Sequence, residues 1–99
     1  MAEGSEQVTV VDNPGASRYE AQTPEGPALL TYEREAGRIF LLHTEVPDAL
    51  EGRGVGSELV RTALDQAREQ GVRVVPYCAF VQAYLKRHPE YQELVQAPE

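Results

Sequence analysis

The chain has 99 residues, 41% of them apolar, and a formal net charge of −7. That length suits one domain (residues 1–99) burying about 65% of its unfolded surface, with no room for a nucleotide-binding domain beside a substrate domain. The acidic balance argues against a sequence-independent nucleic-acid binder, which needs a cationic surface; it serves to keep the protein soluble, or mildly favours a cationic acceptor such as an amine.

The first half reads as strands separated by turn residues. Val8 to Val11 is a β-branched run closed by Asp12-Asn13-Pro14-Gly15. Arg18 to Gln22 is a weaker strand ended by Thr23-Pro24-Glu25-Gly26-Pro27, and Ala28 to Glu35 a stronger one. Glu35-Ala36-Gly37 marks a hairpin into Arg38 to Val46. Strict alternation in that fourth strand puts Phe40, Leu42, Thr44 and Val46 on one face. Ile39, Leu41, His43 and Glu45 then fall on the other, before Pro47 ends the pairing.

The period then changes. Val55, Leu59, Val60, Ala63, Leu64 and Ala67 have helical spacing, and Gly71 stops the helix. Val72 to Pro76 is a short apolar run, expected as a buried strand parallel to its predecessor. Phe80, Val81, Tyr84 and Leu85 define one face of a second helix ending at His88-Pro89, and Tyr91, Leu94 and Val95 suggest one more turn. The expected fold class is α+β, a mixed, largely antiparallel sheet in the order ββββ-α-β-α.

No apolar run approaches the ~20 residues needed to cross a bilayer, and Met1 to Gln7 does not read as a secretory leader. The single cysteine, Cys78, excludes an intramolecular disulfide and a multi-cysteine zinc site. His43 and His88 lack partners at metal-ligand spacing, so no metal is expected. A cytoplasmic protein without membrane partners is the default expectation.

Chemistry concentrates in the loop Glu51-Gly52-Arg53-Gly54-Val55-Gly56-Ser57 before the long helix. Glycines let backbone approach a ligand closely, and the first amides of a helix form an anion site, so phosphate is the physical expectation. The dinucleotide fingerprint would need glycine where Ser57 stands, and a P-loop would need Gly-Lys-Ser/Thr.

Gly54-x-Gly56 at the start of an amphipathic helix, after a strand ending at Val46-Pro47, resembles the acetyl-CoA motif of the GNAT N-acetyltransferase superfamily. His43-Thr44-Glu45-Val46-Pro47, the glycine loop and Pro76-Tyr77-Cys78 leading to His88-Pro89-Glu90-Tyr91 resemble its minimal, single-domain branch. The resemblance implies a sheet splayed between strands 4 and 5, with acetyl-CoA (or CoA) wedged into the gap. It implies pyrophosphate on the backbone amides of Arg53, Gly54, Val55, Gly56 and Ser57, and pantetheine along the main chain of Thr44 to Val46. One departure is Glu51, where the superfamily pattern has Gln or Arg; a carboxylate there repels phosphate if it points inward, and Arg53 stands beside it to offset this.

Acetyl transfer to a lysine-like amine must overcome a protonation cost of about 4.6 kcal/mol at pH 7. Glu45 is the preferred base, with His43 on the same strand face; their alternative roles are a solvated carboxylate and a packed imidazole. Cys78, expected at a helix N-terminus that favours thiolate, is the candidate acid for the departing thiol, or a nucleophile, or a small buried residue. Tyr77 and Tyr84 are alternative acids, although Tyr84 sits on the apolar face and reads first as a core residue. Lys86, Arg87 and His88 are placed to neutralise the second helix's C-terminus, with the 3′-phosphate of CoA as the alternative. Larger relatives add helices after the first strand; here about six residues separate strands 1 and 2, which implies an open acceptor site for a polypeptide amine or a polyamine. The alternative function is a CoA-binding or protein-interaction module with little or no turnover.

Overall fold

The structure, a computed structural model, describes residues 8–97. Four strands, β1 (Val10–Asn13), β2 (Arg18–Thr23), β3 (Gly26–Glu35) and β4 (Arg38–Glu45), form an antiparallel meander. Helix α1 (Val55–Gln70) then crosses over to β5 (Arg73–Pro76), which pairs parallel with β4. Helix α2 (Ala79–Arg87) and a 3-10 segment (Pro89–Leu94) complete the order expected from the sequence. Spatial strand order follows the chain, β1-β2-β3-β4-β5, in one open, mixed sheet.

Local chemistry accounts for most boundaries. The β3–β4 hairpin closes on Ala36 and Gly37 with φ of 54° and 77°, two left-handed residues whose twist matches the strands they join. The C-terminus of α1 stops at Gly71 in the left-handed region, and the Val72 amide reaches back 3.1 Å to the Ala67 carbonyl, closing a Schellman-type end. The first strand lies two residues later than the sequence suggests, Val10–Asn13. Asp12 and Asn13 pair with Tyr19 and Arg18, and the reversal is made by Pro14–Ala16 with Ser17 left-handed. Chain reversal between β1 and β2 therefore takes only residues 14–17.

The core lies on one face of the sheet. Tyr19, Ala21, Leu30, Tyr32, Ile39, Leu41 and Val74 point into it. The stripe Val55, Leu59, Val60, Ala63, Leu64 and Ala67 from α1 and Val81, Tyr84 and Leu85 from α2 meet them there. Leu59 and Leu64 are fully buried, each worth about 2 kcal/mol relative to exposure. Tyr91 and Leu94 of the 3-10 segment extend this cluster. Beyond them Gln96 donates to the Val74 carbonyl at 2.8 Å, which covers the outer edge of β5. The opposite sheet face carries Val11, Leu42 and Tyr77 in the open.

Strand β4 departs from simple alternation. Thr31 pairs with His43 but Tyr32 pairs with Leu41, so Leu42 is an extra residue in the ladder, a β-bulge. The bulge moves Thr44 to the face of Leu41 and its partner Leu30, and leaves His43 and Glu45 on the face of Phe40. The expectation that Thr44 shares a face with Phe40, and His43 and Glu45 with Ile39 and Leu41, is therefore corrected, while His43 and Glu45 do remain together.

Candidate cofactor site

The β4–β5 ladder is short. It runs from Arg38↔Arg73 to Leu41↔Pro76, and Pro76 has no amide to continue it. The Leu41 carbonyl accepts from both Tyr77 (3.0 Å) and Cys78 (3.2 Å), after which the chain turns into α2. Among the described residues strand β4 continues to Glu45 paired only with β3, so its β5-facing edge from Leu42 onward is open there. This is the splay between strands 4 and 5.

A cavity of ≈ 540 Å³ opens beside that edge, within the size range of small-molecule sites. Thr44 and Val46 form one side, and the loop from Leu50 through Ser57, except Arg53, forms the floor. Phe80 and Arg87 of α2 form the opposite wall. Leu50, 7% exposed in an otherwise polar segment, anchors the loop in the core.

The three glycines of the loop have different jobs. Gly52 and Gly54 have φ of 81° and 87°, where an L side chain is strained, so they shape the backbone. Gly56 has an ordinary conformation, but a Cβ there would lie 2.8 Å from Phe80 Cζ, so it is space for that ring that demands glycine. The first-turn amides of α1 at Val55, Gly56 and Ser57 have no side-chain cap and no carbonyl partner among the described residues. The Arg53 amide, by contrast, donates to the Leu50 carbonyl at 3.1 Å, a partner within the loop itself.

Extended backbone edge, anion-seeking amides and an apolar wall suit a long molecule with an amide-bearing arm and a phosphate end. Comparison with known proteins gives the family. A sequence model of the GCN5-related N-acetyl-transferases matches residues 18–94. The chain belongs to the GCN5-related N-acetyltransferase family.

Among relatives, Protein NATD1 of Mus musculus is 42% identical over 72 residues, covering 70% of this chain and 66% of its own length. For the Homo sapiens protein of the same name the figures are 42%, 70% and 64%. The match thus spans slightly less than two thirds of those relatives. A GCN5-like Staphylococcus aureus protein solved by NMR superposes with a TM-score of 0.72 at 26% identity, covering 92% of this chain and 90% of that one.

Within this GNAT-type domain, Cys78 is the N-terminal flanking residue of α2, 8% exposed, with its Sγ 3.3 Å from Thr44 Oγ1. That contact ties the start of α2 to the unpaired end of β4. His43 and Glu45 do not line the cavity; they pair with each other, Nε2 to Oε2 at 3.2 Å, on the open sheet face with side chains about 60% exposed. Tyr77 stacks on Phe40 at 6.2 Å on the same face. Tyr84 belongs to the core, and burial pushes its phenol up. Among the described residues no group of three His, Cys, Asp or Glu side chains could hold a metal ion, and no helix is long and apolar enough to cross a membrane.

One wall residue escapes a reading of the sequence alone, and the other is met there only as an alternative. Phe80 looks like part of the apolar stripe of α2, yet it is 39% exposed. The stripe Val81, Tyr84 and Leu85 is already complete without it, and that surplus was the available signal. Arg87 reads first as a helix-end cation, with the 3′-phosphate of CoA as the alternative, and its place on the cavity wall follows from α2 folding back over a loop thirty residues upstream.

Proposed function

We propose that this GNAT-type domain is an acetyl-CoA-dependent N-acetyltransferase acting on an amine of a polypeptide or a polyamine. The observation that carries the reading is the cavity where β4 outruns β5, bounded by an open strand edge and by unpartnered first-turn amides of α1. These features fit acetyl-CoA: the main chain of Thr44 to Val46 offers an extended arm the pairing of an added strand, and Gly54 to Ser57 offers phosphate the helix N-terminus. When bound, acetyl-CoA supplies an acetyl group activated as a thioester. Cys78, beside Thr44 at the inner end of the open edge, is the residue assigned to the thioester, as acid toward the departing thiolate or as acetyl acceptor ahead of the amine. The His43–Glu45 couple on the open face is assigned to the proton of the incoming ammonium. The four-residue link between β1 and β2 and the open face support an uncovered acceptor site.

A specific observation favours a second reading, a CoA-binding module with little turnover: Glu51 is among the residues lining the cavity, and a carboxylate turned inward there opposes phosphate. Calorimetric titration with acetyl-CoA and with CoA, at low and moderate salt, comes first. Micromolar binding supports both readings and leaves acetyl transfer to amines as the discriminating assay. No binding at millimolar concentration rejects both.

A further inference from the structure

The wall of the cavity opposite the glycine loop contains Phe80 and Arg87, seven residues apart and so on one side of α2. Among the lining residues Arg87 is the only cation and Glu51 the only anion. The other arginines are engaged: Arg18 with Glu20, Arg61 with Glu58, Arg68 over Tyr91, for example, and Arg53 as well. The remaining three are held by Gln70, by the Phe40 ring and by the Glu93 carbonyl. Among the described residues Arg87 makes no ion pair, hydrogen bond or ring contact. An unpaired guanidinium therefore shares a cavity with unpartnered helix-start amides. Both groups seek an anion, and a molecule reaching one is within the enclosure of the other. Arg87 and Lys86 are both exposed in the last turn of α2, where both complement its C-terminal dipole, but of the two only Arg87 lines the cavity.

We propose that Arg87 binds a phosphate group of CoA from the side opposite the glycine loop and thereby separates CoA thioesters from thioesters of pantetheine alone. The proposal rests on the acetyl-CoA reading above. A guanidinium presents a planar fork to two phosphate oxygens, which an ammonium cannot do. CoA offers this chemistry twice, at its pyrophosphate and at its ribose 3′-phosphate.

The test measures affinities of CoA, 3′-dephospho-CoA and pantetheine by calorimetry on the full chain and on Arg87→Gln, Arg87→Lys and Lys86→Gln. Arg87→Gln is expected to weaken CoA about tenfold or more, the size of a lost charge-assisted bond, with pantetheine unchanged. Arg87→Lys recovers part of the loss, and Lys86→Gln stays within about twofold of the parent. Persistence of the loss with 3′-dephospho-CoA assigns the pyrophosphate; its disappearance assigns the 3′-phosphate. Unchanged CoA affinity in Arg87→Gln, while the parent binds normally, overturns the role of Arg87 and leaves the acetyl-CoA reading standing. An equal loss for pantetheine also overturns it, as a general disturbance of the cavity. A parent chain that binds no CoA removes the proposal and the reading together.

Discussion

Gly56→Ala tests how the glycine loop and α2 share the cavity. The new Cβ would stand 2.8 Å from Cζ and 3.0 Å from Cε2 of Phe80. Carbon atoms rest at about 3.5–4.0 Å, so the ring must retreat by about 1 Å. It can, because Phe80 is 39% exposed and the clash meets the far end of a side chain rather than backbone. Pushing the ring off its rotamer costs about 0.5–1.5 kcal/mol. Alanine in place of glycine within a helix returns about 0.5–1 kcal/mol, and Gly56 sits in α1 without a left-handed φ. The two effects nearly cancel, so thermal unfolding should move by no more than about 5 °C. CoA affinity should still fall about fivefold, since ring and methyl both intrude on the cavity. The double variant with Phe80→Ala should show coupling of about 0.5–1.5 kcal/mol in binding. The reasoning is refuted if Gly56→Ala has the same effect with and without the Phe80 ring, or if it destabilises the chain by more than about 3 kcal/mol.

Removing the carboxylate at the cavity floor, Glu51→Gln, should raise CoA affinity several-fold at low salt, from about 0.3–1 kcal/mol of relieved repulsion. Equal affinities at low salt would place that carboxylate away from the phosphates. Cys78→Ser keeps a hydrogen-bonding partner for Thr44 and nearly the same volume, so CoA affinity should stay within about twofold while acetyl transfer is lost. Retained transfer would dismiss the thiol from the chemistry. Tyr91→Phe deletes the 2.6 Å bond to Asp65 and should cost about 1 kcal/mol near neutral pH, read by urea unfolding. Burial first, then the Asp65 bond, pushes the Tyr91 phenol up to about 12, and burial does the same for Tyr19. Unfolded tyrosines release their protons near 10 while the folded ones keep theirs, so stability should fall as pH rises from 10 to 12. Tyr91→Phe should flatten that decline, and an unfolding free energy that stays level over the range would contradict it.

Much of the fold was legible because it follows from chain-local periodicity. Apolar positions from Val55 to Ala67 can bury together only as a helix, Ala36-Gly37 can turn two strands tightly, and Gly71 ends α1 at little steric cost. The glycine loop was legible through residue type and its place before a helix, whose first-turn amides lack a side-chain cap. What the sequence left open depends on partners distant along the chain. The bulge at Leu42 carries no glycine or proline to announce it, and it exists only in the register between β3 and β4, yet it decides which side chains face the core. The two-residue shift of β1 likewise comes from pairing with β2. Loop backbone closing on Leu50 gave the Arg53 amide a carbonyl partner inside the loop. Gly56 looks like its neighbours in sequence, but its reason is the Phe80 ring, and Arg87 joins the cavity only because α2 packs beside α1. Sequence by itself determined the elements and their order, because backbone preference and apolar period are local. Tertiary structure decided which groups share one enclosure, because that depends on how α2 and β4 meet across the end of β5.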